Sequence, residues 1–294
     1  MKLTLLGTGT PTPSTIRSGS SYLLEAGDSL ILFDCGPGSY FRYLQTGRPL
    51  TDLTHVAISH FHYDHCSDFA TIALARWDQA AGCYPELKVI GPRHVHQFVE
   101  TLLGADGAFG PDQVARTEHE ASIAYFRARG GEGARAKIAP QVTEMKAGDV
   151  FDDGDLSLSC VEVPHVQPHL GCLAFRLDHA GQSFCYSGDA SYSKAFIKLA
   201  SDCDVMVHMC HRITGTNLTE AAERTSASHM DVARIAHEAS VKTCVFSHIS
   251  EQMDVPGVPE RLLQEIGGTY TGHAIWANDL MQVDFGSPQP KELI

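Results

Sequence analysis

The feature that most constrains this chain is a repeated ending. Apolar runs with strand character stop, again and again, on a residue that can bind a metal or move a proton. Asp34 follows LILF, His60 follows HVAIS, His165 follows VEVP, Asp189 follows YSG, His208 follows DVMV and His248 follows VFS. Strand ends at one edge of a sheet converge in space, and the loops there collect side chains from distant parts of a sequence. The pattern predicts a layered α/β architecture with its chemistry gathered along one edge.

Strands are expected at 3–7, 20–26, 29–34, 55–59, 87–91, 156–163, 171–177, 182–187, 204–208 and 243–248, with two more in AIWA and LMQVDF. Helical periodicity falls between them, at 67–80, 92–103, 192–200, 228–239 and 258–266, with Ser67 and Asp68 as N-cap candidates for the first. The stretch 105–140 differs in composition. It is rich in Gly, Ala, Glu and Arg, and reads as an insertion over the surface or a lid, with one helix near 111–128 and a mobile turn. No Pro/Ser-rich linker or clear repeat divides the chain, so residues 1–294 are expected to form one domain.

Composition narrows the partners. With 294 residues and 43% hydrophobic content, the chain can bury a sizeable core. Its formal charge of −13 repels phosphate backbones at long range and weighs against a nucleic-acid partner. The nine cysteines form no C-x-x-C pair and lie mostly in apolar runs, as expected of reduced, buried thiols. The N-terminal apolar run is too short for a secretory leader, and no stretch approaches the ~18 apolar residues that span a bilayer. A soluble cytoplasmic protein with no membrane association is the expectation.

The densest chemistry is SHFHYDH at 59–65. His60-x-His62 can chelate one ion, while the adjacent Asp64 and His65 can bind a neighbouring one. Each site needs roughly one more ligand and a bridge. His165, Asp189 and His248 are available at other strand ends. Imidazole and carboxylate donors without suitably spaced thiolates suit zinc.

His60-x-His62-x-Asp64-His65 followed by His165, Asp189 and His248 resembles the ligand series of metallo-β-lactamase-fold hydrolases. LLGTGTPTPSTIRSGSSYLLEAG, LFDCGPGS, SHFHYDH, YSGD, VFSHIS and ANDLMQV are similar, more narrowly, to the ribonuclease Z-like branch, over nearly all the chain except 105–140. The resemblance implies an αββα four-layer sandwich and two Zn²⁺ ions, with Mn²⁺ or Fe²⁺ as substitutes. His60, His62 and His165 would hold the first ion. Asp64, His65 and His248 would hold the second, and Asp189 would bridge them. It further implies hydrolysis by a hydroxide shared between the ions, with Asp64 orienting it or accepting its proton, and a homodimer. Asp34 is the candidate acceptor for an outer imidazole N–H.

Two departures bear on the substrate. The tRNA-processing members of that branch carry a long arm between the third histidine and the bridging aspartate, whereas here Asp189 lies only 24 positions after His165. Those members also have a His-Glu pair whose Glu buttresses a catalytic histidine. The matching positions are His208-Met209 and His229-Met230, and a thioether cannot raise an imidazole pKa as a carboxylate does. His229 is nonetheless the candidate for contacting substrate or protonating a leaving group. His169, His208, His211 and Tyr63 are candidates for the pocket or the surroundings of the ligands, and the glycines of GTGTPTP for a tight turn supporting the metal loop. The expected reaction is hydrolysis of a small-molecule phosphodiester. A lactone or carboxylic-ester hydrolase of the acyl-homoserine-lactonase kind, or an aryl sulfatase, is the alternative. A tRNA 3′-processing endonuclease or a non-catalytic binding protein ranks below these.

Overall fold

In the computed structural model, which describes residues 1–293, the strand-end pattern becomes two stacked sheets. The first has the order β15-β14-β1-β2-β3-β4-β5-β6. Its strands are β1 (Lys2–Gly7), β2 (Ser21–Ala26), β3 (Ser29–Phe33), β4 (His55–Ala57), β5 (Lys88–Gly91), β6 (Gln141–Glu144), β14 (Met281–Asp284) and β15 (Ser287–Glu292). The second has the order β13-β12-β11-β10-β9-β8-β7. It contains β7 (Val150–Asp153), β8 (Leu156–Glu162), β9 (Leu173–His179), β10 (Gln182–Tyr186), β11 (Val205–Met209), β12 (Thr243–Ser247) and β13 (His273–Trp276).

Three separate apolar cores show the layering. One lies between the sheets and includes Leu5, Leu24, Phe33, Phe175, Phe184, Val207 and Val245. A second joins the outer face of the second sheet to helices that contribute Phe196, Val232, Ile235 and Leu262. A third joins the outer face of the first sheet to helices carrying Tyr43, Phe69, Ile72, Val95 and Val99. Three cores require four layers, so the fold is the expected αββα sandwich. Strand composition follows from position. β1, β2 and β3 are covered on both faces and are almost continuously apolar, whereas LSLSCVE in β8 alternates buried Leu156, Leu158 and Cys160 with half-exposed residues.

Direction positions the site. β3, β4, β5 and β6 run parallel to one another, as do β10 to β13, and β8 shares the direction of β10 because each pairs antiparallel with β9. The carboxyl ends of these strands therefore lie along one edge of the sandwich. All nine cysteines are free thiols, eight of them buried. No helix among the described residues is long and apolar enough to cross a membrane.

Several elements differ from the sequence expectation. The helix Ser39–Gln45 and the strands β6, β7 and β15 are additional. Asp68 precedes the helix Phe69–Ala80 without capping it by its side chain. Its Oδ2 instead accepts from the Gly38 and Tyr40 amides, each at 3.0 Å, and satisfies the start of the helix Ser39–Gln45. The stretch 105–140 holds two helices, Gly110–Glu118 and Glu120–Ala128, broken at His119. It is pinned to the helix Phe69–Ala80, where Asp78 pairs with Arg116, Arg129 and Arg135 at 2.7–2.9 Å. The Arg135 guanidinium also sits 4.3 Å above the Trp77 ring. Among the described residues, none of the hydrogen bonds of this stretch reaches the strand-end histidines.

The glycine-rich segments lie behind the SHFHYDH loop. A Cβ on Gly36 would stand 1.9 Å from the Asp64 carbonyl oxygen, and one on Gly7 would stand 1.8 Å from that of Gly19. Backbone approach this close admits only hydrogen. Gly36→Ala is therefore expected to destabilise the protein by roughly 1–3 kcal/mol and to lower its bound metal. Thermal unfolding with metal analysis checks this, and an unchanged transition would count against the close-packing account.

Candidate metal centre

Seven side chains from four places in the sequence meet at the strand-end edge. His60 follows β4, and His62, Asp64 and His65 come from the turn and the short helix Tyr63–Cys66 after it. His165, Asp189 and His248 follow β8, β10 and β12. They form two clusters, His60–His62–His165–Asp189 and Asp64–His65–Asp189–His248, in each of which the donor atoms lie within 4.8 Å of one another. Asp189 belongs to both.

In the first cluster, His62 Nδ1 lies 3.0 Å from His60 Nε2 and 3.1 Å from His165 Nε2. Asp189 Oδ2 lies 3.9 Å from the last two. In the second, His65 Nε2 is 3.4 Å from Asp64 Oδ2 and 3.3 Å from Asp189 Oδ1, and His248 Nε2 is 3.3 Å from Oδ2 of both aspartates. A tetrahedral site with Zn–N bonds of about 2.0–2.1 Å has edges of roughly 3.3 Å, so these spacings suit a small divalent ion.

The outer nitrogens are anchored one by one. His60 Nδ1 meets Ser59 Oγ at 2.9 Å, and Ser59 Oγ donates to Asp34 Oδ2 at 2.6 Å. His65 Nδ1 donates to Asp34 Oδ2 at 2.7 Å, and His165 Nδ1 to the Thr225 carbonyl at 3.0 Å. His248 Nδ1 faces His211 Nδ1 at 3.3 Å. These contacts hold the Nδ1 protons outward for His60, His65 and His165 and leave Nε2 with its lone pair facing inward. Asp64 Oδ1, His65 Nε2 and Asp189 Oδ1 are buried without a hydrogen-bond partner among the described residues. Buried polar atoms are normally satisfied, so this converging set fits a cation.

Electrostatics keeps the carboxylates ready. Burial pushes Asp189 up, but the charges of His248 and His65 outweigh it and hold the group well below the usual range. Asp64 is lowered in the same way, with burial overcome by the hydrogen bond from His248 and by the His65 charge. Burial lowers His65, yet Asp189 and Asp34 more than reverse this and hold it well above its ordinary value. His60, buried beside His65, is held well below it.

The remaining candidates separate by position. Asp34 is fully buried at φ +56° beneath the centre. Tyr63 is 57% exposed and donates its hydroxyl to the Pro11 carbonyl. His211 abuts His248, and burial together with the His248 charge pushes it down to about 4. His208 is buried away from the cluster, with Nδ1 on the Met209 carbonyl and its ring 5.2 Å from that of Phe196. His169 is exposed in the loop after His165 and does not touch the ligand set.

His229 has no free ring nitrogen. It is fully buried, its Nδ1 accepts from the Thr214 amide at 3.2 Å, and its Nε2 meets Glu265 Oε2 at 2.8 Å. Both ring nitrogens are occupied, and the carboxylate beside it comes from the helix Val258–Gly267 rather than from position 209. Sequence reasoning missed Glu265, along with Ser59, Tyr186 and the Thr225 carbonyl. Ser59 opens the SHFHYDH stretch and Tyr186 immediately precedes SGD, so for these two the signal was adjacency to the motifs.

Comparison with known proteins agrees with this geometry. The sequence model of a family described as "Metallo-beta-lactamase superfamily" matches residues 14–248. A protein of Mycobacterium bovis named ribonuclease Z is 28% identical over 291 residues, covering 97% of this chain and 98% of its own. Among solved structures, the metallo-beta-lactamase fold protein YhfI of Bacillus subtilis superposes with a TM-score of 0.72 at 19% identity, over 96% of this chain and 98% of its own. The short form of human tRNase Z does so with a TM-score of 0.68 at 17% identity, over 97% and 99%.

Two outcomes follow from the anchoring. Asp34→Asn keeps the volume but removes the charge behind His65, and is expected to weaken metal binding about 10–100-fold in chelator competition; unchanged affinity would refute its positioning role. Glu265→Gln is expected to leave kcat/KM within about threefold, because both His229 ring nitrogens are already engaged, by Thr214 and Glu265. A loss of a hundredfold, measured on folded protein, would return His229 to the reaction.

Proposed function

The chain belongs to the metallo-beta-lactamase superfamily and is a metal-dependent hydrolase; on that premise we propose a dinuclear zinc enzyme that cleaves a small phosphodiester. The observation that carries this reading is the sharing of Asp189 between two complete donor clusters. His60, His62 and His165 would hold one ion, Asp64, His65 and His248 the other, and Asp189 both. When bound, such ions supply water acidified towards a pKa of ~7 and charge to neutralise that building on a phosphoryl group.

The chain's own residues do the rest. Asp64 stays ionised, and its buried Oδ1 has no hydrogen-bond partner among the described residues, so that oxygen can accept a hydrogen bond from the attacking water and orient it. Asp34, Ser59 and Thr225 fix the imidazoles of His60, His65 and His165 so that these three need not reorient as charge develops. Two divalent cations would balance the charges of Asp34, Asp64, Asp189 and one hydroxide, so an anionic ester would meet no net negative charge at the centre.

A second reading is an RNA phosphodiester, favoured by the mycobacterial relatives named ribonuclease Z at 28% identity over almost the whole chain. Against it stand the charge of −13 and the span from His165 to Asp189, which holds only a short loop, β9 and β10. Zinc is the metal we propose because the donors are imidazole and carboxylate throughout.

Protein prepared without chelator should carry about two ions per chain by elemental analysis. Asp189→Ala should lose at least ~100-fold in kcat/KM on bis(4-nitrophenyl) phosphate and bind less metal. Retained turnover in that variant, or one ion per active chain, overturns the dinuclear assignment. Cleavage of a precursor tRNA in parallel assays, with small diesters untouched, would establish the RNA reading instead.

A further inference from the structure

Along the same edge, next to the metal centre, lies a cavity of about 490 Å³, within the usual ~300–1,000 Å³ of small-molecule sites. Its walls are again strand ends. Pro92 and Arg93 follow β5, Met145 and Lys146 follow β6, and Leu173 opens β9. The 167–171 loop, which begins two residues after His165, closes one side, and Phe61, between His60 and His62, closes the side nearest the centre. β5 lies beside β4, and neighbouring strands are ~4.8 Å apart, so the cavity begins roughly 5–10 Å from the clustered donors. One substrate can therefore reach both.

Its lining has two characters. Phe61, Pro92, Met145, Pro168, Leu170 and Leu173 are apolar. Arg93 and Lys146 are exposed at the cavity with no ion-pair partner among the described residues, and Glu162 is the acidic residue lining it. In a chain with 35 acids against 22 Lys and Arg, two cations without ion-pair partners among the described residues stand out, since the nearby carboxylates of Glu144 and Asp149 are engaged by the His94 and Lys146 amides. None of these groups serves the ligand cluster.

We infer that this cavity receives the organic arm of the substrate, an apolar group the size of one or two rings that carries an anionic substituent of its own, a carboxylate or a phosphate. The apolar body replaces water against Phe61, Met145 and Leu173, and the second anion pairs with Arg93 and Lys146 at the mouth. The inference rests on the phosphodiesterase reading only for the bond to be cleaved; the occupant's chemistry is set by the cavity itself. It explains how one centre distinguishes among esters that the metals alone would treat alike.

The test measures binding separately from turnover. The holoprotein is titrated with 2-naphthoate, 2-naphthyl phosphate and the uncharged 2-naphthalenemethanol. Gly171 offers a clean obstruction, because a Cβ there meets nothing within 4 Å and its φ lies outside the left-handed region. Both anions are expected to bind at least tenfold more tightly than the alcohol. Gly171→Phe should weaken all three at least tenfold, whereas Arg93→Glu/Lys146→Glu, a surface change that spares the core, should weaken the anions and not the alcohol. The tighter of the two anions identifies the substituent. No saturable binding, or binding indifferent to both variants, overturns the inference. Turnover is followed with methyl 4-nitrophenyl phosphate and 4-carboxyphenyl 4-nitrophenyl phosphate, where the second should be preferred at least tenfold in KM and the preference should fall in Gly171→Phe. Equal KM values overturn the inference and leave the phosphodiesterase reading standing. Absence of turnover on both, with naphthoate binding still lost in Gly171→Phe, removes that reading and leaves the cavity's assignment standing.

Discussion

The buried carboxylate of Asp34 is the constraint on which the rest of the site depends. An isolated charge this deep would cost several kcal/mol or more, so it persists only because donors surround it. The Ser59 amide, the Ser59 hydroxyl, the Tyr186 hydroxyl and His65 Nδ1 all donate to it at 2.6–2.7 Å. These donors come from the end of β4, from the second sheet and from the metal loop. One carboxylate thus fastens both sheets and the ligand turn to a single point. Burial and the Asp34 charge hold the Tyr186 hydroxyl well above its ordinary pKa, so it remains a donor. The left-handed backbone at Asp34 and again at His248 is unusual for side chains with a Cβ, though turns away from the site, at Ala81, Ala180, Asp202 and Ser240, adopt it as well.

Much of the fold was legible because its central strands are buried on both faces and therefore read as uninterrupted apolar runs. β6 and β7 escaped notice for the opposite reason: QVTE and VFDD lie at the sheet edges, are exposed or half-buried, and carry neither an apolar run nor a clean alternation. The helix Ser39–Gln45 was hidden because its capping carboxylate lies about thirty positions later, at Asp68. The break at His119 left no mark on helical periodicity. At the site, the residues that meet in both clusters all stood at strand ends or within one motif, which is why the strand pattern found them. Glu265 could not be found that way. It reaches His229 from a helix thirty-six residues further on, and only the packing of two helices brings them together.

The charge balance also takes on a local meaning. The chain is strongly acidic, yet the edge of the sandwich groups five imidazoles with three carboxylates, and its neighbouring cavity presents Arg93 and Lys146. A protein of this net charge repels long polyanions at a distance but can still admit a small anion to a recess that presents unpaired cations, because a cleft focuses its own field within about a Debye length. The whole-chain figure thus bears on the size of the partner more than on the sign of the group being attacked.

The parallel run from β3 to β6 has an evolutionary consequence. β3 and β4 deliver Asp34 and the histidine loop, which interlock so tightly that a change in one must be answered in the others. The ends of β5 and β6 lie on the same edge but hold no ligand. Pro92–His94 and Met145–Ala147 can therefore drift in size and charge without disturbing the reactive centre. Lineages sharing this scaffold would be expected to diversify by rewriting those two short connections first, so a chain's own choice of residues there is a more faithful record of its diet than its metal ligands are.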